Sequence, residues 1–165
     1  MGQFSVGDVV VHATHGIGHI VNLEEKRLFG EAARWYYELS TPKSSVWVPA
    51  DKNAIGLRPV TTKGELGHYR ILLKSRPVVL TKDYRQRNLE LAARLKGGSF
   101  QALGEVVRDL TAHGWKKPLS DVDAALLRRV RDNLYQEWAA ADGVSASEAA
   151  QEIEALLTEA RQMYL

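Results

Sequence analysis

The 165-residue sequence contains no cysteine, so disulfides, thiolate nucleophiles and cysteine-ligated metals are excluded. It also lacks any apolar run of membrane-spanning length, and its N-terminus lacks the basic stretch and apolar segment of a secretory signal. A cytoplasmic location is the expectation. No nucleophile elbow, phosphate-binding glycine loop, dinucleotide fingerprint or HExxH zinc motif is present, so no enzymatic activity and no cofactor are expected. The acidic pair Glu24-Glu25 reads as solvated surface, not as an acid–base site.

Net charge is likewise small, +2 in total, but it is unevenly distributed. Positions 1 to 60 carry six basic and six acidic residues, positions 61 to 135 carry 15 and 8, and positions 136 to 165 carry one and six. A basic middle segment inside a nearly neutral chain suggests either a polyanion met by one region or a solvated helical surface.

What is present divides near residue 60. In Val6 to Val11, Gly18 to Leu23, Trp35 to Leu39 and Val46 to Val48, β-branched and aromatic residues recur between turn formers at Gly7-Asp8, His15-Gly16, Phe29-Gly30 and Thr41-Pro42-Lys43-Ser44. Strands this short at this spacing suit a small five-stranded barrel of the SH3 or Tudor kind, closed to hide its edges.

From Thr61 the periodicity becomes helical, with Leu66, Tyr69, Ile71, Leu72 and Leu73 forming a first stripe before Arg76-Pro77. A second helix beginning near Thr81 carries Leu89, Ala92 and Leu95, and Gly97-Gly98 ends it. Ser99 caps a third helix and Ser120 a fourth, where Asp123 resembles the return partner of a capping box. Ser145 or Ser147 caps a last, acidic helix bearing Ile153, Leu156, Leu157 and Ala160. The expected fold class is therefore α+β in two domains: residues 1–60 as the small Tudor- or SH3-like barrel, and 61–165 as an all-α bundle of about five helices.

Three sets of residues carry candidate chemistry. His12, His15 and His19 could ligate zinc, but strand–turn–strand spacing scatters them, and His15 beside Gly16 more simply fixes a turn by hydrogen bonding. Tyr84, following Lys82-Asp83 and preceding Arg85, Gln86 and Arg87, sets a ring among cations at a helix start. That arrangement suits nucleic acid, with arginines on phosphates and the ring stacked or wedged beside bases, although a first-turn core tyrosine reads the same way. Arg128, Arg129 and Arg131 form a second basic cluster in which Arg128 and Arg131 share a helix face.

Val6-Gly7-Asp8-Val9-Val10-Val11 followed by His15-Gly16-Ile17-Gly18-His19-Ile20 resembles the opening of the CarD/CdnL family and of the polymerase-interacting module in transcription-repair coupling factors. Trp35-Tyr36-Tyr37, Val46-Trp47-Val48-Pro49 and Ala54-Ile55-Gly56-Leu57-Arg58-Pro59-Val60 resemble its later strands and domain exit. Leu95 through Gly98, Glu105-Val106-Val107-Arg108-Asp109-Leu110 and Leu119-Ser120 extend the likeness into the helices. It covers nearly the whole chain, and the helicase motifs of a coupling factor are missing.

A monomer is the expectation, and the resemblance implies a transcription regulator whose Tudor-like domain binds the lobe of the RNA polymerase β subunit by strand-edge pairing. It further implies a helical domain that makes weak minor-groove and backbone contacts with promoter DNA at the upstream edge of the melted segment. Lys26, beside Arg27, matches a basic polymerase-contacting position. Trp47 stands where some members have arginine, and Arg27, Val46 and Val48 are expected to contact polymerase together with Lys26 and Trp47. The family's DNA-wedging tryptophan aligns with Tyr84, leaving Arg85 and Arg87 as candidate phosphate contacts. A DNA-facing lysine of some members aligns with Ala124, so a compensating contact falls to Arg128 or Arg131. The competing expectation is a protein–protein adaptor that uses the barrel without any DNA role.

Overall fold

The computed structural model describes residues 4–27, 30–50 and 56–165. The chain forms two compact units, 1–60 and 61–165, with the division where the sequence periodicity changes.

The first unit is a five-stranded antiparallel sheet: β1 (Val9–His12), β2 (Gly16–Lys26), β3 (Arg34–Ser40), β4 (Ser45–Pro49) and β5 (Leu57–Pro59), in the spatial order β4-β3-β2-β1-β5. This arrangement is that of a Tudor-like domain. Among the described residues no pairing joins β4 to β5, so the expected closure is not seen and each terminal strand keeps one outer edge. β5 was not among the expected strands. It is only three residues long, and it is created by pairing with β1 far away in sequence. The first strand starts later than expected because Gly7 adopts a φ of +98° and its N–H bonds to the Ile20 carbonyl. Of the expected turns, Phe29 lies outside the described residues, as do Ala54 and Ile55 of the domain-exit motif.

Alternation along the strands sends Val10, Ile20, Tyr37, Leu39 and Val48 to one buried face. The buried Tyr37 hydroxyl donates to the Phe4 carbonyl (2.8 Å) and accepts the Phe4 N–H (3.1 Å), which pins the N-terminal segment to the core. At Gly18 a Cβ would meet the Ser40 carbonyl oxygen at 2.8 Å, so only glycine fits between β2 and β3 there.

The β1–β2 turn is held by His12, not by His15 as expected. The His12 Nδ1 accepts the N–H groups of Thr14 (3.0 Å) and His15 (3.2 Å), and the two imidazole rings lie 4.7 Å apart. His19 is exposed on β2 opposite Val9.

The second unit comprises α1 (Leu66–Lys74), α2 (Tyr84–Leu95), α3 (Phe100–His113), α4 (Asp121–Asp142) and α5 (Ala146–Tyr164). Side-chain oxygens of Asp83, Ser99, Ser120 and Ser145 accept backbone N–H groups at the starts of α2 to α5, and Gly143 at φ +73° ends α4. Ser145 and Glu148 form a full capping box. Ser120 does not, because the Asp123 carboxylate turns inward instead of reaching back. α3 is buried along most of its length, and Leu66, Leu73, Leu91, Leu110, Leu134, Trp138 and Ile153 form the core around it. On α2 the buried side chains are Arg87 and Leu91, while Leu89, expected in the core, is 68% exposed. Two positions from either buried residue, Leu89 lies about 200° around the helix from each.

Charged groups also enter this core. The Asp109 carboxylate, fully buried, accepts from Arg94 Nη2 (2.8 Å), Arg108 Nε (2.8 Å) and the Val78 N–H (2.9 Å), and Arg108 Nη1 reaches the Ser75 hydroxyl (2.9 Å). Glu137, also buried, accepts the Thr61 N–H at 2.9 Å.

Two outcomes follow from these bonds. Asp109→Ala strands Arg108 in the interior and costs about 3–5 kcal/mol, measurable as an earlier urea midpoint in the helical unit; a change within experimental error contradicts the hub. Burial, with a smaller contribution from His15, holds the His12 imidazole below its ordinary pKa of 6.5. The unfolded chain therefore takes up the proton first as pH falls, and the turn's stabilisation, complete above about 6.5, is lost through the lower folded-state midpoint. Imidazole NMR titration should place that midpoint below 6.5, with amide protection at Thr14 and His15 lost in the same window.

Candidate functional site

In the first unit the strand register decides which side chains are presented outward. The Ala50 N–H bonds to the Trp35 carbonyl, fixing the alternation along β3 and β4. Val46 and Val48 therefore point their backbone groups at β3, whereas Ser45 and Trp47 direct theirs to the open edge. Pro49, with no N–H to offer, ends that edge. The side chains alternate as well: Val48 is buried in the core and Val46 packs against it, so neither presents a side chain to a partner, contrary to the expectation for both. Trp47 remains on the outer face.

There the Lys26 ammonium stands 3.5 Å from the centroid of the Trp47 ring, a cation–π contact between β2 and β4 that spans β3. The register also puts Glu38, Pro49 and Tyr36 on this side of the sheet, where Tyr36 is itself buried: Trp47 is opposite Glu38, and Pro49 is opposite Tyr36. The Ser45 hydroxyl donates to the Glu38 carboxylate at 2.8 Å. Arg27, just past β2, is exposed. The sequence reading missed Tyr36 and Pro49 as members of this face. The signal that finds them is the two-residue period counted out from Trp47 once β3 and β4 are paired.

In the second unit Tyr84 occupies the first position of α2 and is 56% exposed, so it is not a core tyrosine. The preceding Asp83 caps the helix, its Oδ1 accepting the N–H groups of Arg85 (2.9 Å) and Gln86 (3.2 Å). Arg85 is exposed too. Its Nε donates to the Tyr84 hydroxyl (3.2 Å) and its guanidinium carbon lies 5.7 Å from the ring centroid. One turn on, the exposed Glu90 carboxylate accepts from the Thr81 hydroxyl (2.7 Å) and the Gln86 amide (3.2 Å). Those two bonds, the hydroxyl's first, hold its pKa below the ordinary value.

Arg87 does not join the outer set. It is 6% exposed, its Nε and Nη2 donate to Asp123 Oδ2 (3.1 and 2.8 Å), and its Nη1 donates to the carbonyls of Thr81 and Lys82. A guanidinium already paired and buried cannot meet a phosphate, so its expected role as a phosphate contact is withdrawn. Nothing local in the sequence indicates this, because the partner is 36 positions away.

On α4, Arg128 and Arg129 are exposed, while Arg131 is half-buried in a cleft shared with Glu154, Thr158 and Arg161. Arg128 and Arg131 thus meet different surroundings despite their spacing. One turn beyond, Tyr135 donates to Glu154. Burial pushes its phenol up to about 12, against the opposing pull of the Arg131 charge. Ala124, at the position of the family lysine, is half-buried.

Other cations of the basic middle segment have acidic partners within the same unit. Arg70 of α1 pairs with Asp142 and Glu152, Lys63 with Asp142, and Lys74 with Glu159. Arg70's bond and charge hold the Glu152 carboxyl below its ordinary value against the opposing effect of burial. The start of α2 is a surface both basic and aromatic, with Lys82, Tyr84 and Arg85 exposed together; a second lies where the exposed Arg76 stands 4.7 Å from the Tyr164 ring centroid, near Trp115 and Lys116.

Comparison with known proteins matches the two units separately. Residues 4–61 match the CarD-like/TRCF RID domain, and residues 70–154 match the CarD C-terminal domain. The chain is also 28% identical over 145 residues to YdeB of Bacillus subtilis (strain 168), a protein described as a candidate transcription factor; the alignment covers 87% of this chain and 95% of that one. With the sheet and the helices each matched by the corresponding domain, in the same order, the chain belongs to the CarD family of transcription regulators, which act through RNA polymerase.

Proposed function

We propose that the chain binds the RNA polymerase β subunit through the β4 edge and the Lys26–Trp47 face, and that its helical unit contacts promoter DNA at the upstream edge of the bubble, stabilising the open complex. Among the described residues no strand pairs with the outer side of β4, whose outward backbone groups at Ser45 and Trp47 offer the chemistry of strand addition. Trp47 beside it provides a large apolar anchor of the kind that dominates binding energy at interfaces. Lys26, held over the ring, keeps a positive charge at that anchor for an acidic partner surface.

The observation that carries the DNA half of the reading is the exposure of Tyr84 at a capped helix start, with Arg85 against it and Lys82 two residues before. A ring so placed can wedge or stack beside a base step while the arginine meets phosphate. Tyrosine offers less area than the tryptophan the resemblance leads one to expect, and its hydroxyl already has a partner in Arg85. The withdrawal of Arg87 into the interior favours a second reading, an adaptor that binds polymerase without touching DNA, because it removes one candidate phosphate contact.

Trp47→Ala in the full-length chain should weaken binding to purified β subunit by about 2 kcal/mol, roughly 30-fold in Kd, with the sheet intact by circular dichroism. Unchanged affinity moves the interface off this face. Tyr84→Ala should accelerate open-complex decay after competitor challenge roughly 5- to 150-fold, the equivalent of about 1–3 kcal/mol of ring–base contact, with melting and polymerase binding preserved. Tyr84→Trp should preserve or lengthen the lifetime. An unchanged lifetime for the alanine variant, with Trp47→Ala abolishing recruitment, selects the adaptor.

A further inference from the structure

We infer that the buried Arg87–Asp123 pair is a positioning device for Tyr84, fixing where the ring at the start of α2 stands. The inference rests on the proposed wedge role of Tyr84 and adds the residues that hold the wedge in place.

One guanidinium joins three pieces of chain. Arg87 Nη1 donates to the carbonyls of Thr81 (2.9 Å) and Lys82 (3.0 Å), the two residues immediately before the helix cap Asp83. Its Nε and Nη2 donate to Asp123 Oδ2 in the first turn of α4. Its own backbone N–H closes the first helical bond of α2 onto the Asp83 carbonyl at 2.9 Å. Tyr84 thus lies on a short arc of backbone that the same side chain anchors at both ends.

Leu80, buried in the core, anchors the chain just before the arc, and between Thr81 and Gln86 no side chain is buried. Lys82, Asp83, Tyr84, Arg85 and Gln86 are all exposed, and Leu91 is the next buried side chain along α2. The Thr81–Glu90 bond braces the outer side, where water competes with it. Asp123 depends on the same contact: its Oδ1 is buried without a hydrogen-bond partner, so Arg87 carries the charge-assisted bonding of that carboxylate.

Arginine is required because the guanidinium is a planar fork that serves a carboxylate on one side and two carbonyls on the other. Lysine can keep the charge opposite Asp123, but a single ammonium cannot span both sets of acceptors. Arg87→Lys therefore releases the Thr81 and Lys82 carbonyls while leaving the ion pair possible. Asp123→Asn does the converse, retaining the acceptor's shape and removing its charge.

The test is a double-mutant cycle in the full-length chain, with open-complex decay on polymerase holoenzyme and promoter as the readout, at saturating protein. Arg87→Lys and Asp123→Asn, each folded by circular dichroism, should shorten the lifetime about 10-fold when Tyr84 is present. Neither should shorten it further in a Tyr84→Ala background, because a positioning residue acts only through the group it positions. Equal fold losses in both backgrounds overturn the inference by showing that the pair acts through general stability or a contact of its own. No loss with Tyr84 intact overturns it as well. A normal lifetime for Tyr84→Ala alone removes the wedge reading, and this inference with it, so the two failures are read from different variants. Should Arg87→Lys not fold, Asp123→Asn completes the cycle.

Discussion

The helical unit depends on the carboxylate of Asp109. Buried on α3, it gathers Arg94 from α2, Arg108 from its own helix and the N–H of Val78 from the segment between α1 and α2. A lone carboxylate in that position would be heavily desolvated, and the buried Arg108 would lose its partner without it, whereas Arg94, 30% exposed, keeps access to water. Because α2 has little apolar surface of its own, this charged junction and the Arg87–Asp123 pair do for α2 what leucines do for the other helices. The helix that presents Tyr84 is thereby held by directional bonds, which fix its angle more narrowly than a greasy face would.

The same pairing explains why the uneven charge along the sequence is a poor guide to nucleic-acid contact. The excess of cations in the middle and of acids at the end suggested a polyanion partner, yet Lys63, Arg70 and Lys74 face Asp142, Glu152 and Glu159 within one folded unit. Arg87, Arg94 and Arg108 are answered internally too. Charge asymmetry along a chain is thus equally the signature of helices that pair with one another, and a net count cannot separate the two. What separates them is which cations stand beside an exposed ring.

Legibility in the sequence follows the range of the interactions concerned. Ser99, Ser120 and Ser145 were identifiable as caps because capping chemistry lies within three residues. The boundary near residue 60 was visible because the hydrophobic period changes there. β5 was not, since three residues ending in proline carry no strand signal without β1 beside them. Leu89 was placed on the wrong face because Arg87 occupies a core position, and a stripe whose key member is an arginine misleads any reading of apolar spacing. Val46 and Val48 were assigned to the contact surface along with Trp47, and only the register of β3 with β4 turned them inward. Arg87 itself was lost for the same reason: the acid that claims it belongs to another helix.

Both proposed contact points share a construction. Trp47 carries Lys26 over its face, and Tyr84 carries Arg85 beside its ring and hydroxyl. In the free protein the cation shields an exposed aromatic surface and satisfies part of its polar character, which lowers the tendency of such a patch to self-associate. On the proposed reading each cation is then already stationed where an anionic partner group must arrive: a carboxylate at the sheet and a phosphate at the helix start. Little side-chain ordering remains to be done on binding, so less of the contact energy is lost to it. The tyrosine suits this arrangement in one respect that tryptophan does not, because its hydroxyl gives Arg85 an acceptor that fixes the guanidinium before DNA is met. The smaller ring is offset, in part, by a better-placed cation.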